Sequence, residues 1–297
     1  MNSVKPGSKS MANRAADFFI RFLLFVIALT CILPFVHVLA KSLSNEAYVI
    51  AQEVYLWPKG LNIEAYKKVF TDQSIIRSFF VTIFVTVTFT LTGMILTVCA
   101  AYPLSRKHLK GRNFFTFLFM FTLYFAGGII PDYLLMNRLH MLDTIWSIIL
   151  PLAFSPYNLL IMKTSFQTSI SDSLIESAVI DGASQFRILR SIVLPLSKPI
   201  LATVTLFYAV GRWNAYQDAL FYIKQNINIR PLQLKLYYLI ATSTEAVNAA
   251  MEGTAQYTNP EVLKAACIIF TTVPIICVYP FIQKYFVKGT MVGAVKG

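Results

Sequence analysis

Six stretches of this chain are almost wholly apolar: residues 18–40, 79–103, 114–134, 144–162, 199–222 and 265–283. Each reaches or approaches the roughly 20 helical residues needed to cross a hydrocarbon layer about 30 Å thick. A bilayer interior offers no water to a backbone N–H or C=O. A crossing segment must therefore close its hydrogen bonds within itself, as a helix, or join a closed barrel. None of the six alternates at period two, and each far exceeds the roughly ten residues of a barrel strand. The expected class is an all-α integral membrane protein with six transmembrane helices. Composition agrees, since 56% of residues are hydrophobic and only 13% charged, about half the charged share of a soluble domain.

Short loops record orientation because Lys and Arg are kept on the cytoplasmic side. The loop SRKHLKGRN, residues 105–113, carries Arg106, Lys107, Lys110 and Arg112, whereas the next short loop, NRLHMLD, carries only Arg138. Alternation from there places both termini and residues 163–198 in the cytoplasm, and residues 42–78 and 223–264 outside. Lys5, Lys9, Arg14 and Arg21 fit an internal N-terminus. The expected organisation is a cytoplasmic segment 1–17 and a permeating domain 18–297, which includes the inner loop 163–198 and a cytoplasmic tail 284–297. The apolar run before Val38, Leu39 and Ala40 exceeds a cleavable signal core, so the first helix is expected to be retained. A formal net charge of +12 then reads as topology and attraction to anionic membrane lipid, not as a nucleic-acid groove.

Several chemistries are missing. Cys31, Cys99, Cys267 and Cys277 all fall inside apolar stretches, and His37, His108 and His140 are scattered without ligand spacing, so neither a disulfide framework nor a metal site is readable. The chain has no GxxxxGK[ST] phosphate loop, no GxSxG elbow and no pair of midplane carboxylates at helical spacing. No catalytic residue and no cofactor is expected. The interiors of the second, third, fourth and sixth stretches hold no Asp, Glu, Lys or Arg, with Asp132 only at the outer edge of the third. An ion-coupled carrier needs such groups at the midplane and is therefore the weaker alternative. Energy is expected from a partner.

Against this background, ESAVIDGASQFRILRSIVLPLSKP, residues 176–199, is conspicuously polar and punctuated. Ser173 and Glu176 have capping-box spacing, which starts a short helix. It runs to Asp181 and stops at Gly182, since glycine takes the left-handed conformation at no steric cost. Ser184 caps a second helix whose Phe186, Leu189 and Val193 share one face and whose Arg187 and Arg190 lie on another. Pro195 and Pro199 close it, with Pro199 suited to the first turn of the next helix. Each residue has a plainer reading: Glu176 as a cap, Gly182 as a turn, Pro195 as a breaker. Helix, glycine corner and helix on the cytoplasmic side together make a docking knob.

The fifth stretch holds a second polar group. Counted from Pro199, Arg212 lies roughly 20 Å along it, where an arginine must snorkel, pair or face water. Asn214 and Asp218 share one face, and Trp213 and Gln217 another. Aromatic rings beside amides suit a sugar path, so Arg212, Trp213, Asn214, Tyr216 and Gln217 are candidate translocation residues. Snorkelling of Arg212 to outer headgroups is the competing reading.

The knob follows the pattern E-A-A, three residues, G, nine residues, I-x-L-P. In this it resembles the coupling loop of permease subunits of bacterial binding-protein-dependent ABC importers, with Ser177 as the one departure. RWNAYQDALFYI in the fifth stretch, PLQL at 231–234 and YPFIQKYFVKGTMVGAVKG at the C-terminus resemble the carbohydrate branch. The likeness is to the second maltose permease and to the subgroup for complex oligosaccharides and polysaccharides. A permease for another solute class is the alternative within the family. The resemblance implies the type I importer permease fold, multi-pass in the bacterial cytoplasmic membrane. It also implies a second homologous permease, two cytoplasmic ATP-binding subunits, an extracytoplasmic solute-binding protein and an oligosaccharide substrate. By the same resemblance Glu176, Ser177, Ala178, Asp181, Gly182, Ala183, Ile192, Leu194 and Pro195 would meet the ATPase. The tail Gly293, Ala294, Val295, Lys296 and Gly297 would insert along the ATPase interface.

Overall fold

The computed structural model describes residues 11–251 and 261–294, among which there is no β-strand. The helices are α1 (Met11–Ser42), α2 (Glu46–Ile50), α3 (Glu64–Thr71), α4 (Gln73–Ser105), α5 (Arg112–Tyr124), α6 (Ile129–Arg138), α7 (Pro156–Ser169), α8 (Asp172–Ile180), α9 (Gln185–Leu196), α10 (Lys198–Asn214), α11 (Gln217–Tyr222), α12 (Leu232–Met251) and α13 (Glu261–Ala294). The chain divides into two compact units. One holds the residues through Val69 with Thr242–Phe270, and the other holds Phe70–Ala241 with the residues from Thr271 onward.

In the first unit, Ala16–Ser42 of α1 is long and apolar enough to cross a membrane. Its end is tied to the following loop: Ser44 donates its hydroxyl to Ala40 O at 2.7 Å and accepts the Lys59 N–H at 3.0 Å. Ala40, Val49, Val54 and Val262 pack together beneath it.

The second unit is built around α4, against which α7 and α10 pack. Lipid tails are as apolar as leucine, so helices in a membrane gain little from hydrophobic burial and associate through close packing and hydrogen bonds. The contact of α4 with α10 shows both. Gly93 lets the backbone of Ala153 and the ring of Tyr208 approach so closely that a Cβ there would lie 2.6 Å from Ala153 O and 2.9 Å from the ring. The Tyr208 hydroxyl shares a 2.7 Å hydrogen bond with Thr97 Oγ1 of α4.

Among the described residues three helical stretches are long and apolar enough to cross unbroken: Ala16–Ser42, Gln73–Ser105 and Glu261–Val278. The remaining apolar stretches, expected as simple helices, are interrupted. Between α5 and α6 the chain bends by 109° at Gly127 and Gly128, the latter at φ +88°. Residues 144–162 form a 3₁₀ turn, Ile145–Ile148, then irregular backbone, then α7. Pro151 and Pro156 explain this, since neither has the N–H that a continuous helix requires. The fifth stretch is α10 and α11 separated by extended backbone at Ala215. Residues 223–264, expected to be an outer connection, contain the 20-residue α12. Helical structure already begins at Met11, within the segment expected as an N-terminal tail.

The two ends of α4 gather different loops. At its start Arg77 donates to Asn228, and Asp143 holds residues 224–226 nearby in sequence. At its end Lys107 pairs with Asp172 of α8.

Gly93→Ala is expected to overpack the α4–α10 contact and destabilise the chain by about 1–3 kcal/mol. Gly211→Ala, on the open side of α10 with nothing within 4 Å of the new Cβ, should instead be neutral or stabilising by up to about 1 kcal/mol through helix propensity. Thermal unfolding of the detergent-solubilised variants compares the two.

Candidate functional site

The capping of the knob begins two residues earlier than the sequence pattern implied. Helix α8 starts at Asp172 with Ser171 as its N-cap, and no side chain caps its first turn. The Ser173 hydroxyl donates to Ser171 Oγ at 3.2 Å, so the expected box between Ser173 and Glu176 does not form and Glu176 projects outward, exposed. The other end follows the expectation. Ala183 N–H reaches Ala178 O at 2.9 Å and Gly182 N–H reaches Val179 O at 3.0 Å, with Gly182 at φ +78°. That pair of bonds is the glycine-terminated helix stop, and it satisfies two carbonyls that the end of α8 would leave open.

Ser184 accepts the Arg187 N–H at 3.3 Å and caps α9. The buried face of α9 differs from the expected one. Ile188 and Val193 are fully buried with Leu189 and Ile192 half-buried beside them, while Phe186 is 72% exposed. The cause lies ahead of Pro195. Proline has no N–H, and its ring crowds the preceding turn. Residues Leu189–Val193 widen into a π-turn, with Leu194 N–H bonding Leu189 O. This shifts the facing register. Around Gly182, therefore, Glu176, Ser177, Asp181, Val179, Ile180 and Phe186 form an exposed mixed apolar and acidic surface, Ile180 being 85% exposed. Ala178, Ala183, Ile192 and Leu194 turn partly inward, and Pro195 is exposed. The sequence pattern does not single out Ile180, and it places Phe186 on the same face as Leu189 and Val193; two large apolar residues flanking a glycine corner were the available signal.

The knob is anchored, not tethered. Lys107 Nζ lies 2.8 Å from Asp172 Oδ2. That hydrogen bond, and the charge behind it, holds the Asp172 carboxyl below its ordinary range. The Tyr102 hydroxyl of α4 donates to Gln185 Oε1 at 2.8 Å. Ile175, Ile188 and Val193 enter the same core as Phe166 of α7 and Tyr208 of α10. Between α9 and α10 the chain turns by 85° at Ser197. A displacement of the knob must move the membrane helices it is packed into.

The candidate path residues separate into two groups. Arg212 is 4% exposed. The break after Asn214 folds α11 back so that both Asp218 oxygens accept from its guanidinium, Nη2 to Oδ1 at 2.9 Å. Nη1 also donates to Ile148 O at 2.9 Å and Nη2 to Ala215 O at 3.5 Å. Trp213 is likewise buried, its Nε1 donating to Thr271 O at 3.2 Å and its ring meeting Phe79 edge to face. Asn214 and Gln217 are exposed, and Tyr216 stacks on Tyr237 at 5.1 Å. In a continuous helix a spacing of six puts Arg212 and Asp218 on different faces, so only a bend can pair them, and the extended backbone at Ala215 supplies it.

At the other end of α4, Asp143 sits at φ +58° and its Oδ1 accepts the N–H groups of Lys224, Gln225 and Asn226 at 2.8, 2.7 and 3.1 Å. Burial opposes the charge, but these three donors and Arg230 outweigh it and hold the Asp143 pKa below the ordinary carboxylate range. Along the tail, α13 continues through Ala294, so Gly293 and Ala294 end a helix. Val295, Lys296 and Gly297 lie outside the described residues.

Comparison with known proteins places this geometry. Residues 9–292 match the family described as "Binding-protein-dependent transport system inner membrane component". The chain is 41% identical over 288 residues to the polygalacturonan/rhamnogalacturonan transport system permease protein YtcP of Bacillus subtilis (strain 168), covering 97% of this chain and 100% of that protein. It is 43% identical over 268 residues to Protein LplC of the same organism, with 90% of each chain covered. Among solved structures it is similar to a chain of a bacterial ABC transporter involved in the import of the acidic polysaccharide alginate. There the TM-score is 0.82 at 35% identity, covering 94% of this chain and 99% of that one.

Removing one member of the buried ion pair strands the other. Asp218→Asn is expected to cost about 3–5 kcal/mol, whereas replacing both by apolar residues, Arg212→Met with Asp218→Leu, should recover most of that loss. A double-mutant cycle on unfolding of the purified chain measures the coupling.

Proposed function

Because this chain belongs to the family of binding-protein-dependent transport system inner membrane components, we propose that it is one permease half of an ABC importer for uronate-containing oligosaccharides. It is a multi-pass protein of the bacterial cytoplasmic membrane and a permease of the carbohydrate ABC class. In this reading a second homologous permease completes the path, two cytoplasmic ATP-binding subunits supply the energy and an external solute-binding protein delivers the sugar. The chain itself hydrolyses nothing.

The observation that carries the reading is the knob: an exposed corner with Gly182 at φ +78°, ringed by Glu176, Asp181, Ile180 and Phe186 and packed into the core that joins α4, α7 and α10. A mixed apolar and charged surface suits a soluble partner better than lipid or water alone. Rigid attachment suits the transmission of a partner's closure. The six-span arrangement with both termini inside is supported by the loops gathered at the ends of α4. Residues 107 and 172 meet at one end, and residues 77, 143 and 224–228 associate at the other.

The sugar class rests on the relatives. Polygalacturonan, rhamnogalacturonan and alginate all carry uronic acids, and these names belong to a 41% identical permease and a 35% identical transporter structure. Recognition of the acid is not assigned to Arg212, whose charge Asp218 already meets. Exposed Asn214 and Gln217 and the Tyr216–Tyr237 stack are the surfaces suited to sugar hydroxyls and ring faces.

Uptake by the intact assembly tests the substrate. An oligogalacturonate is expected to enter in preference to a neutral oligosaccharide of equal length, and Arg212→Gln should reduce both alike. A loss confined to the acidic sugar would put Arg212 in the path, and preferential uptake of the neutral sugar would overturn the acidic class.

The coupling role is tested separately. Glu176→Lys reverses a charge on the docking face, and Gly182→Val forces a side chain into the left-handed region at a cost of about 1–2 kcal/mol. Both should leave the chain inserted in the membrane while uncoupling ATP hydrolysis from uptake. Normal transport by both variants, or ATP hydrolysis by the purified chain alone, would overturn it.

A further inference from the structure

Where the loop 105–113 enters α5, positive charge accumulates without a counter-charge. Lys163 of α7 is only 9% exposed, and its ammonium donates to the neutral hydroxyl of Thr116 at 3.0 Å. Arg112 stands one helical turn before Thr116 on α5, so its side chain leaves the same helix face that Lys163 meets. Arg112 is itself the first residue of α5, and its Nε is buried without a hydrogen-bond acceptor. Gly111, the N-cap, has no side chain with which to cap that turn. Two cations and the positive end of a 13-residue helix therefore converge, and among the described residues no carboxylate pairs with either. Buried charge is costly unless it is compensated. A helix start flanked by cations provides the donors an anion needs.

We propose that Lys163, Arg112 and the first turn of α5 form a binding site for the phosphate of an anionic phospholipid. The assignment to lipid, not to a free phosphate, comes from the surface that leaves the site. Helix α5 buries none of its residues in this chain, and Phe114, Phe117 and Phe121 are exposed along it. A headgroup seated at the start of α5 has an aromatic and apolar track on which to lay its acyl chains. A soluble anion would use the charges and leave that track uncovered. The site holds the base of α5 against α7, whose far end leads directly into α8 and the knob. Only the choice of leaflet, the cytoplasmic one, rests on the sidedness proposed above.

The test uses the full-length purified chain in nanodiscs of phosphatidylglycerol or of phosphatidylcholine, with retained lipid counted by native mass spectrometry and thermal stability read in parallel. The parent is expected to retain phosphatidylglycerol over phosphatidylcholine by roughly tenfold, in keeping with the attraction of two basic groups for an anionic headgroup. Arg112→Gln should lose most of that preference. Lys163→Met removes the buried charge but keeps its length. It should fold in either lipid, gain no stability from phosphatidylglycerol and retain it no better than phosphatidylcholine. An unchanged preference in both variants would overturn the site. Stabilisation of the parent by millimolar inorganic phosphate equal to that by phosphatidylglycerol would overturn the lipid assignment. Retention by the purified chain is independent of sidedness, which impermeant labelling of Lys110 in intact cells reads on its own.

Discussion

Every interruption of a helix at membrane depth exposes backbone groups that neither water nor lipid can satisfy, and the second unit is organised by how those groups find partners. The irregular backbone between Ile148 and Pro156 is the largest such interruption. Tyr208 accepts the Ser155 N–H at 3.0 Å, and Arg212 donates to Ile148 O. Both side chains come from α10, one turn apart. The same arginine reaches Ala215 O at the break of its own stretch. Across the unit, Thr82 of α4 accepts the Leu232 N–H at the start of α12, at 2.7 Å. The polar residues that an apolar chain can least spare are thus spent on its broken backbone, and this fixes α4, the irregular segment and α10 as one body.

That constraint also decides what could be read from the sequence. The helical class, the apolar stretches and the glycine corner were legible because each is a local property: composition and run length for the first two, the left-handed preference of Gly182 for the third. Ser184 as a cap was legible for the same reason. The breaks were harder. Pro151 and Pro156 sit in the fourth stretch in plain view, yet hydropathy averages across them. The pairing of Arg212 with Asp218 requires knowing that Ala215 is extended, a property that nothing in its own chemistry requires. The face of Phe186 has a similar origin, because a regular 3.6-residue period does not hold across the π-turn Leu189–Val193 that precedes Pro195. The error at Ser173 was smaller, since a serine at position 171 competes for the same role.

The knob and the buried Arg212–Asp218 pair are joined by α10. Its N-terminal end follows the knob through the 85° turn at Ser197, and its C-terminal end carries Arg212 and the break. Between them stand Val204 and Tyr208, both buried, in the core that also receives Ile188 and Val193 from α9. Packed interiors do not deform continuously. A push on the knob is therefore delivered to α10 as a whole and, through Tyr208, to the irregular segment before α7. Sparse charge within the helices agrees with the proposed coupling, since a permease driven by a partner's movement needs no titratable group at the midplane.

The surplus of 26 basic over 14 acidic residues means that many cations have no carboxylate available within the chain, and those described here are accommodated in three different ways. Arg212, at 2% side-chain exposure, is paired bidentately with a carboxylate that is itself 9% exposed; desolvation there is severe, and only a full set of hydrogen bonds makes the arrangement tolerable. Lys107, at 72% exposure, meets Asp172 in water, where such a pair is worth at most about 1 kcal/mol and its use is positional. Lys163 rests on a neutral hydroxyl, and Arg106 lies with its Cζ 5.1 Å from the centre of the Tyr102 ring, sharing the field of Asp172 with Lys107. One acid, Asp218, sits where a backbone break demands rigidity. On the lipid site proposed above, the cation that lacks a carboxylate is left where an anionic membrane surface can supply the missing charge.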